Sequence, residues 1–165
     1  MQQLFESWRQ YLDEIEALDD IATTPEEIQQ SINYFYGPKF DKGKQKAEET
    51  WEARGKEHQM ITFVKGKTEL HFAVKEGQPV AYVAVDPFRE GYAVGNVRKS
   101  TKDFFASDLY TWLLNKYGVL YSDKAQTTAG AKTWKRFPEA KKIDTSEEDG
   151  KDKEGNPRWR WRLSK

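Results

Sequence analysis

Cysteine is absent from the 165-residue chain, which excludes a disulfide framework, a thiolate metal site and a cysteine nucleophile. The only two histidines, His58 and His71, stand apart from one another, and no His/Asp/Glu cluster has metal-ligand spacing, so no metal is expected. No apolar run approaches the ~18 residues that read as a bilayer-spanning helix. Net charge of one sign is lacking too: 27 Lys plus Arg balance 27 Asp plus Glu, which speaks against a nucleic-acid binder working by bulk charge. The opening QQLFESWRQYLDEIEAL is too acidic and too amphipathic for a signal peptide, so a cytoplasmic protein with no membrane partner is expected. The length suits one ordinary domain and is short for two.

Aromatic residues are plentiful instead, at 14% with six Trp, which predicts a core of few but large side chains. The charge, although balanced overall, is split. Residues 1–30 hold eight acids and one base, 1 − 8 = −7, leaving +7 for the remainder. Leu4, Phe5, Trp8, Tyr11, Leu12, Ile15 and Leu18 form one apolar stripe at helical spacing. A second helix is predicted from Thr24-Pro25-Glu26-Glu27, with Thr24 as cap, Pro25 in the first turn and Glu27 completing a capping box. Ile28, Ile32 and Phe35 share its face, and Gly37-Pro38 stops it; Tyr34 and Tyr36 either cover a sheet or line an acceptor pocket.

The sequence divides into a helical pair (1–38), a polar linker or short exposed helix (39–58) ending at Gly55, and a region of sheet and helices (59–165), read together as a single domain. MITFVKG, ELHFAVKEG, PVAYVAVDP and GYAVGNV are β-rich segments separated by turn residues and predict an antiparallel meander. Nearly continuous apolar stretches from Leu70 to Val74 and Val80 to Val85 call for cover on both faces. A third helix is expected to open at Ser100-Thr101-Lys102-Asp103, to turn Phe105, Leu109, Trp112 and Leu113 inward, and to close at Gly118. Val119-Leu120-Tyr121 reads as a short buried strand. A fourth helix, capped by Thr127 or Thr128, carries Ala131, Trp134 and Phe137 up to Pro138. KKIDT and RWRWRLS then suggest a terminal hairpin, with Trp159, Trp161 and Leu163 facing the core and Arg158, Arg160 and Arg162 facing water.

This order of two helices, meander, long helix, short strand, helix and hairpin resembles the GCN5-related N-acetyltransferase superfamily over roughly residues 60–165. The segment LYSDKAQTTAGAKTWKRF is similar to a form met in bacteriophage-encoded members. The resemblance implies an α+β domain whose mixed, mainly antiparallel sheet is covered by helices on both faces. It also implies acetyl-CoA as acyl donor, an amine as acceptor and, for a phage-encoded chain, a place in the host cytoplasm. The family's phosphate turn reads Arg/Gln-x-x-Gly-x-Gly/Ala. Laid on this chain, it nominates Val97, Arg98, Lys99, Ser100, Lys102 and Asp103 for the cofactor, with Lys102 and Phe104 near the glycine positions and Ala106 at the tolerated small one. A Cβ there hinders close approach of backbone to phosphate, while the side-chain cations offer a substitute. The resemblance likewise nominates Tyr121 as proton donor to the leaving thiolate and Asp123 as carboxylate, against a reading in which Tyr121 is core and Ser122-Asp123 a turn.

Three functions stay open at this level. One is acyl transfer with a degenerate pyrophosphate loop. Another is a binding module on the same frame, engaging a host or virion protein. The third is nucleic-acid binding or modification through Arg98, Lys99, Lys102, the 132–136 cluster and the RWRWR strand.

Overall fold

A computed structural model of the chain describes residues 24–124 and 128–165. The predicted helix over residues 4–18 and the cap at Thr127 lie outside the described residues. The described elements are α1 (Pro25–Tyr36), β1 (Lys44–Ala53), β2 (Lys56–Lys65), β3 (Thr68–Lys75), β4 (Gln78–Phe88), β5 (Gly91–Lys99), α2 (Ala106–Tyr117), β6 (Val119–Tyr121), α3 (Thr128–Lys135), β7 (Lys141–Asp144), α4 (Ser146–Asp149) and β8 (Trp159–Ser164). The class is α+β. The strands follow the order β1-β2-β3-β4-β5-β6-β8-β7, with β5–β6 a parallel pair and β1–β2, β2–β3, β6–β8 and β7–β8 antiparallel. The chain clusters into two compact units, with β4 and β5 running through both.

In the first unit, described over 24–84 and 96–104, α1 begins as its sequence dictates. The Glu27 amide donates to Thr24 Oγ1 at 3.2 Å, Pro25 occupies the first turn, and the Gly37 amide closes on Asn33 O at 2.9 Å. Ile32 and Phe35 are buried against Leu70, Phe72, Val74, Tyr82 and Ala84. The meander is longer by one strand than the sequence predicts. Residues 44–53 are not a linker or helix but the strand β1, paired residue for residue with β2 from Glu48↔Ile61 to Ala53↔Lys56. Its charges suit an edge strand, where solvent takes one face and charge discourages further pairing. Arg54 and Gly55, expected to end a helix, form the two-residue hairpin turn instead, both with positive φ (51° and 79°).

In the second unit, described over 85–95, 105–124 and 128–165, β5 leads through α2 into β6. Gly91 starts β5 so close to β6 that a Cβ there would stand 2.3 Å from Val119 O. Helix α2 starts later than expected: Phe105 is the cap, and its amide donates to Asp108 Oδ2 at 2.7 Å. Ser100 through Asp103 therefore precede the helix. Leu109 and Leu113 are buried as expected, together with Tyr110, but Phe105 is 46% exposed and Trp112 only half-buried, with Lys116 Nζ 5.6 Å from its ring centroid. Trp134 on α3 is buried and packs on Tyr110, ring centroids 5.0 Å apart.

The terminal hairpin forms as predicted, but the phase of its strand does not hold. Trp159 is 39% exposed while Arg160 is 8% exposed. The exchange of Trp159 and Arg160 has a definite cause. Asp149, on the short α4, carries a buried carboxylate that draws Arg160 inward, where Nη1 also donates to Ser122 O at 3.1 Å and the guanidinium carbon lies 4.2 Å from the Phe88 ring centroid. Leu163 alone of the three predicted core positions is fully buried.

Candidate functional site

The residues nominated for the cofactor lie on one segment of the first unit. Val97 is half-buried, Arg98 is buried at 4% exposure, and Lys99 Nζ donates to Thr101 O at 2.9 Å. Ser100 is tied down twice: its amide donates to Val80 O at 2.9 Å, and its hydroxyl hydrogen-bonds Gln29 Oε1. Lys102 is exposed. Asp103, expected to cap a helix, instead receives two lysines, Lys75 Nζ at 2.6 Å and Lys56 Nζ at 2.9 Å. The Lys75 bond first, then the Lys56 bond, hold its carboxyl well below the ordinary carboxylate range.

Around this carboxylate the register assembles residues that no sequence spacing links. Trp51 and His58 are cross-strand partners on β1 and β2. His58, 1% exposed, has Nδ1 3.1 Å from Lys56 O and Nε2 3.5 Å from Asp103 Oδ2, and its ring meets Phe104 at 5.1 Å. Phe104 packs edge-on against Trp51 at 4.9 Å and is 1% exposed. The Phe104 ring thus anchors the segment in an aromatic pocket. Only the pairing register, which the sequence does not print, could have disclosed this cluster. His71, by contrast, is the satisfied strand histidine that its context predicts, with Nδ1 2.7 Å from Thr62 Oγ1.

Tyr34 is 42% exposed, whereas Tyr36 packs on Phe72 at 5.1 Å and Phe63 at 6.4 Å, with burial pushing its phenol up. These contacts make Tyr36 part of the packing of the first unit.

The second unit holds the two nominated catalytic residues. Tyr121 ends β6 and is 1% exposed; its hydroxyl donates to Glu90 Oε2 at 2.6 Å and lies 3.3 Å from Arg162 Nε. Arg162 Nε and Nη2 reach Glu90 Oε1 at 3.0 and 2.7 Å. Burial, then the Glu90 bond, push the phenol up, while the same Tyr121 bond and Arg162 pull the Glu90 carboxyl down to about 2. Asp123 is half-buried, and its Oδ1 accepts the Lys124 amide at 2.8 Å. Ser122 is fully buried and accepts the Trp161 amide at 2.8 Å. Glu90 and Arg162, missed in the sequence, sit in a turn and on a strand face where nothing marks them.

The electrostatics at the start of α2 bear on phosphate. Free helix amides and the dipole attract anions there. Here Asp108 already supplies a carboxylate to that turn through its bond from the Phe105 amide. A pyrophosphate at this helix start would meet a like charge. The backbone of β5 offers something different. Its ladder with β6 consists of Tyr92↔Leu120 and Ala93↔Tyr121, and β6 ends there. Beyond Ala93, the edge of Val94 and Gly95 turned toward β6 has no ladder partner from that strand.

Among the described residues no group of three or more His, Cys, Asp and Glu could hold a metal ion, and no helix is long and apolar enough to cross a membrane. No protein-family model matches the chain, and no curated protein sequence does. Among solved structures it is similar to the ribosomal-protein-S18-alanine N-acetyltransferase from Escherichia coli, at 12% sequence identity and a TM-score of 0.36, over 61% of this chain and 71% of that chain. A likeness of that size carries no argument about this chain.

Proposed function

We propose that this chain transfers an acyl group from acetyl-CoA to an amine. The observation that carries the reading is the short parallel ladder: β5 and β6, joined through α2, share two residue pairs, and β5 then continues past the end of β6. An unpaired strand edge accepts an extended, amide-bearing chain by the hydrogen bonding of an added strand. The pantetheine arm of acyl-CoA is such a chain, and Val94 and Gly95 are the residues assigned to it. When bound, the donor supplies a thioester carbon open to attack by an amine. Asp123 is assigned to the proton that the amine gives up, and Tyr121 to the proton that the leaving thiolate takes. A phenol held above its ordinary value keeps its proton at neutral pH, and the Arg162 guanidinium compensates the charge left on the oxygen.

One observation favours a second reading, a module on this frame that binds a host or virion protein without turnover. Tyr121 and Ser122 are buried, and Ser100, Asp103 and Tyr121 are all bonded to other parts of the chain. Titration calorimetry with acetyl-CoA and with CoA separates the two. Saturable heat supports acyl transfer, and its absence at millimolar donor would end that reading. Thiol release in the presence of primary amines then reports turnover without background, because the chain has no cysteine. Donor binding with no thiol release would leave the binding module.

A further inference from the structure

We propose that Lys42 is a covalent acylation site, whose ε-amine takes the acyl group of an activated donor, an acyl phosphate or an acyl thioester. This does not depend on the transfer proposed above and stands or falls separately. The turn between α1 and β1 holds the side chain in place. Gly43 has a φ of 77°, and a Cβ there would collide with Val64 O, so the backbone just after Lys42 lies against β2. Lys42 itself is half-buried. Its Nζ donates to Gly37 O at 2.8 Å and lies 5.3 Å from the Phe63 ring centroid and 5.9 Å from that of Tyr36.

Other lysines of this unit are held as ammonium by a carboxylate: Lys46 by Glu69, Lys56 and Lys75 by Asp103, and Lys65 by Asp41. Lys42 has no such partner among the described residues. Its sequence neighbour Asp41 is turned elsewhere, with Oδ1 accepting the Gly43 amide at 2.9 Å and Oδ2 paired with Lys65. The other titratable groups about the turn are the Tyr36 phenol on α1, Lys65 on β2 and Glu48 on β1, whose charge is felt at Tyr36. Burial therefore outweighs the pull of Asp41 and holds the Lys42 ammonium below the ordinary lysine value. The two rings oppose this only weakly, because both distances are close to the ~6 Å reach of a cation–π contact. The Gly37 bond does not oppose it, since a neutral amine keeps an N–H for that carbonyl.

Only the neutral amine has a lone pair for an acyl carbon, and a lysine desolvated beside apolar groups supplies it at neutral pH. The nitrogen attacks the carbonyl carbon, and the bond from that carbon to the phosphate oxygen or thiol sulfur breaks. The leaving group takes the electron pair and then the proton that the nitrogen loses. The amide that results has no charge but retains one N–H for Gly37 O.

The test incubates the full chain with acetyl phosphate or, in a second arm, with acetyl-CoA. Unreacted lysines are then filled with deuterated acetic anhydride after denaturation, and fragment-ion mass spectrometry reads the extent at each position. Exposed Lys39 and Lys44 are the internal references. At neutral pH Lys42 is expected to react about fivefold faster than either with at least one donor, in keeping with its larger neutral fraction, and to reach half of its limiting rate at a lower pH. Asp41→Asn keeps an acceptor for the Gly43 amide and removes a charge that favours the ammonium, so it is expected to speed Lys42 and leave Lys39 unchanged. A preference seen with one donor alone identifies the source of the acyl group. Preferential reaction with acetyl phosphate in a chain that gives no heat with acetyl-CoA would uphold the site without acyl transfer. A Lys42 no faster than Lys39 and Lys44 with both donors, or a slower Lys42 in Asp41→Asn, would overturn the proposal.

Discussion

The guanidinium of Arg160 and the carboxylate of Asp149 meet side by side within the second unit, Nε to Oδ2 and Nη2 to Oδ1, each at 2.7 Å. The Asp149 and Arg160 side chains are only 6% and 10% exposed. Thr145 adds a hydroxyl bond to the same Oδ2 at 2.6 Å. A four-residue helix that buries no residue of its own is thereby fixed to the terminal strand by a single carboxylate.

Removing one partner strands the other in a site with little water. Asp149→Ala is expected to destabilise the chain by about 3–5 kcal/mol in urea titrations. Replacing both together, Asp149→Leu with Arg160→Met, is expected to recover most of that loss, because an apolar pair needs no solvation. A single-variant loss below about 1 kcal/mol would mean that the pair is solvated in solution. The pH dependence has a fixed sign. The Arg160 bond lowers the Asp149 carboxyl in the folded chain, so its contribution is present above about pH 4 and is lost as acid protonates it. Asp149→Asn is expected to flatten the acid limb of the stability curve.

Glu90 and Tyr121 offer a spectroscopic check. The tyrosine bond is the first cause of the fall of the Glu90 carboxyl to about 2, and Arg162 the second. Carboxyl carbon NMR through an acid titration is expected to show Glu90 titrating near that value in the parent. Tyr121→Phe is expected to move it up toward the ordinary glutamate range. An unmoved midpoint would assign the shift to Arg162. On the alkaline side, the raised phenol of folded Tyr121 holds its proton longer than the unfolded chain does, so its stabilising contribution is lost as pH rises above about 10.

How far such details were legible in the sequence depends on whether the deciding partner was local. The α1 cap, the β3 and β4 runs and the β6 strand follow from neighbours in sequence. The segment 39–58 reads as a polar linker or short exposed helix because it is nearly all charged or polar, and only the pairing of 44–53 with β2 makes that part a strand. The start of α2 was read at Ser100 to Asp103, whereas the helix is capped by Phe105 and Asp108. The later start follows because Ser100 is drawn to Val80 and Gln29, and Asp103 to Lys56 and Lys75. In β8 the alternation was visible but the burial of Arg160 was not, since its partner Asp149 is eleven residues upstream in a segment that the sequence reads as a charged loop. Of the candidate site, Tyr121 was legible as a strand end; Glu90, Arg162, His58 and Phe104 acquire their partners only through register.

The β3–β4 turn carries strain that a single substitution relieves. Glu76 and Gly77 both have positive φ, 52° and 79°, as a two-residue hairpin of this type requires. A glutamate in that region pays a steric penalty that asparagine largely avoids. Glu76→Asn is expected to stabilise the chain by about 0.5–1 kcal/mol, and thermal melts read it directly. Gly77→Val is expected to act in the opposite sense. A Cβ at Gly77 has nothing within 4 Å, so the loss would be conformational and not a clash. No change in either variant would place the strain elsewhere in the turn.

Phe104 stands near a position where the resembled family carries glycine, yet it is held between Trp51 and His58 at 4.9 and 5.1 Å. Its role in the first unit is therefore packing, and the test is a truncation. Phe104→Ala is expected to cost about 3–5 kcal/mol, since it empties a site filled by an aromatic ring and leaves Asp103 beside the cavity. Phe104→Gly is expected to cost at least as much, because it frees the segment that the ring anchors. Phe104→Leu retains volume and is expected to keep most of the stability. A stable Phe104→Gly chain with improved acetyl-CoA binding, read by calorimetry and urea titration on the same samples, would show that the ring blocks a phosphate site and does not anchor its segment.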